Sequence, residues 1–116
     1  MRSMSGCVFC RIARGEAPAS IVYKDEEIVA FEDINPQAPY HILVIPKDHI
    51  PSIMDLSSGN IYVVGKIYNA IKEIARSKNL EKGFRVVVNC GPLAGQSVNH
   101  LHFHLLSGRR LGWPPG

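Results

Sequence analysis

The chain has 116 residues, of which 46% are hydrophobic and 20% charged, and this balance predicts one compact domain with its own core across residues 1–116. The net charge of +3 is modest and the longest run of cations is the pair Arg109 and Arg110, so a nucleic-acid polymer is not expected as the partner. No apolar stretch is long enough to span a membrane, the opening MRSMSG lacks the apolar core of a signal peptide, and three cysteines are an odd count. These features predict a reduced, cytoplasmic protein that handles a small anion.

The first half of the chain predicts short elements. Residues 9–15 predict a short helix that Gly15 and Pro18 stop. Two β-branched runs, residues 21–24 and 27–32, predict a hairpin with a tight turn at Asp25 and Glu26. The loop NPQAP is stiffened by two prolines, and residues 40–46 then predict a third strand.

The second half begins with a helical pattern over about residues 60–78. Its apolar stripe, which predicts a core helix across the sheet, consists of Val64, Ile67, Tyr68, Ile71, Ile74 and Ala75. Residues 84–90 predict a fourth strand, and residues 91–97 a glycine-bearing loop before the fifth strand. The whole order predicts an α+β fold: a five-stranded antiparallel meander with one long helix and a short N-terminal helix.

Three of the five histidines stand at alternate positions of SVNHLHFHLL, residues 97–106. A β-strand would place His100, His102 and His104 on one face and the intervening apolar residues on the other. A helix would give no coherent apolar stripe. The alternative is a strand that merely shows polar rings to water.

The loop before these histidines suits an anion. Gly95 allows backbone N–H groups to turn inward, Ser97 adds a hydroxyl, and Asn89 ends the neighbouring strand with an amide. Neutral imidazoles beside such a cradle, with no carboxylate among them, favour phosphoryl chemistry over proton abstraction from carbon.

The segment from His100 to Leu106 fits the His-φ-His-φ-His-φ-φ signature, where φ is apolar, and so resembles the histidine triad superfamily. The blocks FEDINPQAPYHILVIPKDHI and FRVVVNCGPLAGQSV and the tail WPPG are similar to its Hint branch, the purine nucleoside phosphoramidases. The resemblance extends from Cys7 to Gly116. It implies the HIT-like fold, a purine nucleotide substrate and a homodimer.

The resemblance implies roles for the polar residues. His102 would attack the α-phosphorus of a nucleoside 5′-phosphoramidate, and His104 and Ser97 would contact the phosphate and leaving group. His100 and His41 would orient the nucleophile or position its proton. The main-chain N–H groups of Gln96 and Ser97 would steady the growing phosphoryl charge, and Asn89 matches another phosphate-side position.

The resemblance also implies a nucleoside pocket. Asp33 and Ile34 match positions that hold the ribose and base, and a carboxylate suits two ribose hydroxyls. The alternative for Asp33 is the polar end of a strand. Phe9, Ile12 and Phe31 match base-pocket walls, with ordinary core positions as the alternative.

The tail LGWPPG is too stiff for a helix, and Trp113 needs somewhere to be buried. In Hint proteins the tail reaches toward the partner's active site, so Trp113 would help to select leaving groups. Here RRLG stands where relatives often carry Gln-Met before the Trp, and Asn99 stands where an apolar residue is commoner.

Cys7 and Cys10 have the C-x₂-C spacing of a zinc knuckle, and His49 and His100 are plausible further ligands. The resemblance supports this Cys₂His₂ set, because many histidine triad proteins bind zinc in this way. Four protein ligands leave no open position, so the zinc would be structural and there would be no catalytic metal. The alternative is metal-free thiols, with His49 as a loop residue.

The predicted function is hydrolysis of the P–N bond of adenosine or guanosine 5′-phosphoramidates through a nucleotidyl-histidine, with release of AMP or GMP. Two alternatives stay open: a dinucleoside polyphosphate hydrolase, and a zinc-bearing module that binds purine nucleotides without turnover.

Overall fold

A computed structural model describes residues 6–116. The prediction about the opening segment MRSMSG falls mainly on residues 1–5, which lie outside the described residues. The helices are α1 (Val8–Ala13) and α2 (Tyr62–Ser77); the strands are β1 (Ile21–Lys24), β2 (Ile28–Glu32), β3 (Tyr40–Pro46), β4 (Phe84–Val88) and β5 (Phe103–Ser107). Short 3-10 turns lie at Ile53–Asp55 and Pro92–Ala94. Among the described residues, no helix is both long and apolar enough to cross a membrane.

The five strands form one antiparallel sheet, which confirms the α+β prediction. Its order is β1-β2-β3-β5-β4, so the predicted meander is wrong: β5 pairs with both β3 and β4 and lies between them. Burial gives the reason. Alternate residues of β5 are buried and Leu105 is fully covered, whereas β4 has no buried residue and suits the edge.

Helix α2 packs on one face of the sheet. Residues from β2, β3 and β5 form the main core with it, including Ala30, Ile42 and Leu105. The predicted stripe is shifted around the helix: Val63 and Ala70 are buried, whereas Tyr68 is 49% exposed. The Tyr68 side chain lies at the margin, where its ring contacts the edge of Phe103 at 5.6 Å between centroids.

Helix α1 covers the other face and forms a second core cluster. Successive residues of a strand point to opposite faces, so Val29 and Phe31 belong to this cluster while their neighbours face α2. Leu43 and Ile45 of β3 follow the same rule. Because α1 is only six residues long, it leaves part of this face open beside the histidines.

The histidine segment is a strand only in part. Leu101, Phe103 and Leu105 belong to the α2-side core, as the alternation predicts, but β5 begins at Phe103. The pairing with β3 and β4 reaches no further than Phe103, and the Leu101 N–H instead donates to the Ile50 carbonyl at 2.6 Å. His100 and His102 therefore lie in an irregular segment before the strand, and the predicted fourth strand also ends early, at Val88.

Candidate functional site

His102 is held by its own segment. Its Nδ1 lies 2.7 Å from the His100 carbonyl oxygen. A carbonyl only accepts, so Nδ1 carries a proton, and in the neutral form of the ring Nε2 has the free lone pair. Nε2 makes no hydrogen bond within the described part of the chain, and the ring lines a cavity. This tautomer directs the Nε2 lone pair into the cavity, which is the arrangement that nucleophilic attack by an imidazole requires.

A second chain of hydrogen bonds fixes His104. The Gln37 N–H donates to His41 Nδ1 at 3.0 Å, so the proton of neutral His41 is on Nε2. His41 Nε2 then donates to His104 Nδ1 at 2.9 Å. His104 is thereby left with its proton on Nε2, a buried atom that has no hydrogen-bond partner in the described structure. An unpaired buried donor costs about 1–3 kcal/mol, which a ligand oxygen would recover.

Burial keeps the rings of His41 and His104 neutral. It lowers the pKa of His104 to about 4, and the neighbouring rings of His102 and His41 add to this effect. Burial also lowers the pKa of His41, against the pull of the Asp33 carboxylate, whose Oδ2 lies 3.4 Å from His41 Nε2. The pair therefore works at neutral pH as hydrogen-bond donors and acceptors rather than as cations.

The rings of His102 and His104 open onto a cavity of about 370 Å³ between α1 and the sheet. This volume suits a small molecule. We call it the histidine cavity; the residues predicted from sequence that line it are Phe9, Ile12, Phe31, Asp33, Ile34, Ser97, His102 and His104. The sequence did not single out Leu43 and Val98, two further apolar walls, because they look like ordinary core residues.

The walls of the histidine cavity differ in character. Phe9 and Phe31 are buried and meet edge to face at 5.4 Å, so they are both core residues and cavity wall. Phe9 also contacts the His102 ring, at 5.2 Å. Ile34 is almost fully exposed at the rim. The Asp33 Oδ1 accepts from the Asn35 N–H at 2.8 Å, which fixes the carboxylate beside the rim.

The glycine loop differs from the predicted cradle. Gly95 has the left-handed φ of +89° that the loop requires, but the Gln96 N–H donates to the Gly91 carbonyl at 3.1 Å. The predicted use of this N–H for an anion is therefore corrected: it is already paired. The Gln96 side chain is a brace, because its Oε1 accepts from the Gly91 N–H and its Nε2 donates to the Pro51 and Val98 carbonyls. The Ser97 N–H makes no hydrogen bond within residues 6–116 and stays available.

Four other predicted residues have distinct positions. The His100 ring contacts Cys7 and Cys10, and its carbonyl is the group that orients His102. His41 reaches His104 and not His102. Continuing the β4–β5 register by one residue sets Asn89 opposite His102, although Asn89 does not line the histidine cavity. Trp113 is 83% exposed and also lies outside it.

Cys7, Cys10, His49 and His100 form a compact group, which we call the Cys–His cluster; its ligand atoms all lie within 4.8 Å of one another. His49 Nδ1 is 3.2 Å from Cys10 Sγ, and His100 Nδ1 is 3.4 Å from Cys7 Sγ. Sulfur–nitrogen edges of a tetrahedral zinc site are about 3.5 Å for ordinary zinc–ligand distances.

His100 Nε2 donates to the Pro46 carbonyl at 2.7 Å, which leaves the Nδ1 lone pair for a metal. Burial lowers the pKa of His100 to about 4, so the ring is neutral. The residues fit zinc.

A second group, Asp33, His41 and His104, also brings ligand atoms together. The Gln37 N–H argues against a metal there. A metal on His41 Nε2 would move the imidazole proton to Nδ1, where it would face the Gln37 N–H. This group is therefore a hydrogen-bond chain. Gln37 was not predicted as a site residue, because only its main-chain N–H takes part, although it lies between two prolines and four residues before His41.

Comparisons with known proteins agree with one another. A profile of the family described as "Scavenger mRNA decapping enzyme C-term binding" matches residues 6–111. An "uncharacterized HIT-like protein" of Synechococcus elongatus is 48% identical over 94% of this chain and 96% of its own, and a "14 kDa zinc-binding protein" of Zea mays is 46% identical over 97% and 89%. A "HIT family hydrolase" of Legionella pneumophila superposes with a TM-score of 0.93 at 46% identity, over 96% of this chain and 100% of its own. A "histidine triad nucleotide-binding protein" of Candida albicans gives 0.80 at 30% identity, over 94% and 83%.

Proposed function

Because the chain belongs to the histidine triad (HIT) family, we propose that it is a purine nucleoside phosphoramidase of the Hint type. One observation carries the proposal: His102, whose Nδ1–H is held by a carbonyl, lies in the same cavity as an unpartnered His104 Nε2–H. A nucleophile and an unpartnered hydrogen-bond donor in one apolar cavity suit attack on a phosphoryl group.

In the proposed reaction, His102 Nε2 attacks the α-phosphorus of a nucleoside 5′-phosphoramidate. The new N–P bond forms as the bond from phosphorus to the amine breaks, and the amine leaves with a proton that comes from solvent water. The His104 Nε2–H is placed to donate to the phosphoryl or leaving group, and Ser97 offers a hydroxyl and a free N–H at the rim. Water then cleaves the nucleotidyl-histidine, which releases the nucleoside monophosphate and restores His102.

The histidine cavity would hold the nucleoside. Its apolar walls, including Phe9 and Phe31, suit a flat purine, and Asp33 stands at the rim where a ribose would follow. Asp33 Oδ1 is already tied to the Asn35 N–H, so Oδ2 is the oxygen left to accept from ribose hydroxyls. Apolar walls discriminate weakly between adenine and guanine, so we propose both as substrates.

We propose that the Cys–His cluster holds a structural zinc. Bound zinc would supply a cross-link between α1, the loop after β3 and the histidine segment. His100 links this cluster to the reaction centre, because its ring faces the cysteines while its carbonyl holds His102 Nδ1. The cluster thus fixes the nucleophile without taking part in the chemistry.

We further propose a cytoplasmic homodimer built from one domain per chain. Three features support a dimer: β4 is an edge strand, Phe84 on it is 40% exposed, and Trp113 is 83% exposed in the single chain. A partner tail would bring Trp113 to the histidine cavity. The absence of disulfides among Cys7, Cys10 and Cys90 suits a reducing compartment.

A second candidate is a zinc-bearing module that binds purine nucleotides without turnover. Two similar proteins favour it, because one is a zinc-binding protein and the other a nucleotide-binding protein by name. The orphan His104 donor would then meet the phosphate of a bound nucleotide. Turnover separates the two candidates.

The test is release of AMP from adenosine 5′-phosphoramidate by the intact protein, by His102→Ala and by Asn99→Ala, an exposed neighbour that serves as control. We expect turnover by the intact protein and the control. We expect its loss, by at least about a thousandfold, in His102→Ala, which should still bind AMP. An intact protein that binds AMP and releases no product would eliminate the hydrolase and favour the binding module.

A further inference from the structure

The loop before β3, residues 35–39, is held in place by the turn after β5, which contains Gly108 and Arg109. Arg109 donates to the Gln37 carbonyl from both Nε, at 3.2 Å, and Nη2, at 3.0 Å. Its third nitrogen, Nη1, donates to the Arg110 carbonyl at 3.0 Å. All three nitrogens of the guanidinium are thus committed to main-chain carbonyls, and no carboxylate within residues 6–116 forms an ion pair with it. Arg109 acts as a main-chain clamp rather than as a partner of an acidic side chain.

Gly108 lets this clamp close. Its φ of +97° belongs to the left-handed region, and a Cβ at this position would lie 2.8 Å from Pro39 Cβ. Only glycine combines this backbone with such a close approach to Pro39. The turn therefore contacts the loop at two points, at Pro39 and at the Gln37 carbonyl.

The residue that Arg109 holds, Gln37, also contacts the histidine pair His41 and His104 through His41. Gln37 accepts from Arg109 through its carbonyl and donates its own N–H to His41 Nδ1 at 3.0 Å. The charged or titratable groups that face His41 are the Asp33 carboxylate, 3.4 Å from Nε2, and the His104 ring, 2.9 Å from Nε2. Asp33 favours a proton on His41, but a proton on Nδ1 would face the Gln37 N–H. The amide therefore opposes the imidazolium and favours the Nε2–H tautomer.

We propose that Gln37 and Arg109 are positioning residues: Arg109 holds Gln37 so that its N–H keeps His41 neutral and protonated on Nε2. His41 must then donate to Nδ1 of His104. The one proton of neutral His104 is therefore on Nε2, which faces the histidine cavity. The proposal rests on the phosphoramidase function for its catalytic consequence. The proton placement itself concerns the free protein and needs no substrate.

Nitrogen NMR of the protein labelled with ¹⁵N-histidine, without substrate, tests the placement directly. Gln37→Pro deletes the N–H, whereas Gln37→Ala keeps it and is the matched control. We expect His41 of the intact protein and of Gln37→Ala to show an unprotonated Nδ1 at pH 7. In Gln37→Pro we expect the midpoint of His41 protonation to rise by about one pH unit, a tenfold gain in proton affinity. Identical His41 titrations in both variants would overturn the proposal.

Arg109→Met gives a second route that does not depend on a new proline, with Arg110→Met as its control. The side chain of Arg110 makes no hydrogen bond in the described structure, so only Arg109→Met should raise the His41 midpoint. If turnover exists, we expect Arg109→Met to lower kcat about tenfold with KM within about twofold, because the donor is misplaced and the nucleoside contacts are not. Equal effects of the two arginine substitutions on the His41 spectra would refute the clamp. Absent turnover in the intact protein would refute the phosphoramidase function and leave the NMR result standing.

Discussion

Replacing Cys10 with serine should remove the zinc that we assign to the Cys–His cluster. Cys10 is fully buried, and its sulfur lies 3.2 Å from His49 Nδ1 and 3.5 Å from His100 Nδ1. A serine hydroxyl is a much poorer zinc ligand than a thiolate and leaves three donors in a site that needs four. Cys90→Ser is the matched control, because Cys90 lies outside the cluster.

The size of the effect follows from linkage. Free zinc at about 1,000 times its Kd stabilises a protein that binds it only when folded by about 4 kcal/mol. At about 4 °C per kcal/mol for a chain of this length, Tm should fall by on the order of 15 °C when the zinc is lost. Chelation of zinc from the intact protein should give a drop of the same size.

The assay combines zinc content per chain with thermal unfolding, with and without a chelator. We expect about one zinc per chain in the intact protein and in Cys90→Ser, and almost none in Cys10→Ser. The chelator should have no effect on Cys10→Ser. An intact protein purified without zinc that gains no stability when zinc is added would refute the assignment, and the cluster would then be a set of buried thiols.

Two further predictions concern the histidine cavity. Phe9→Ala removes a ring that is 7% exposed and packs on Phe31 and His102, so we expect a loss of about 3–5 kcal/mol in urea unfolding and weaker AMP binding by calorimetry. Met54→Ala, at an 81% exposed position outside the histidine cavity, should cost far less, and equal losses from the two substitutions would contradict the assignment of Phe9 to the cavity wall. Because burial lowers the folded-state pKa of His104 to about 4, below the ordinary value of 6.5, the unfolded chain binds more protons in this range. The contribution of neutral His104 to the free energy of unfolding should be complete above pH 6.5. It should be lost as the pH falls toward 4, at up to about 1.4 kcal/mol per pH unit. His104→Asn should flatten that slope of the urea-derived unfolding free energy, and an unchanged slope would show that the ring is not buried as a neutral group.

The sequence predicted most of the architecture because its signals are local. The bounds of β1 and β3 agree with the prediction, and those of α2 differ by a residue or two, since alternation and helical periodicity are properties of neighbouring residues. Sheet order is not local. The insertion of β5 between β3 and β4 depends on which strand has two faces to bury, and the predicted meander missed it.

The candidate site likewise has a part that the sequence predicted and a part that depends on the tertiary structure. The sequence by itself determined the ingredients: alternate histidines with an apolar underside, a C-x₂-C pair, and a glycine loop before them. Only the tertiary structure decided how they are used. The His100 ring turns to the cysteines while its carbonyl holds His102, the Gln96 N–H closes its own loop, and His41 donates to His104. The physical reason is that a side chain's chemistry is set by its residue type, whereas a ring's tautomer and a donor's availability are set by whichever distant main-chain group lies within 3 Å of it.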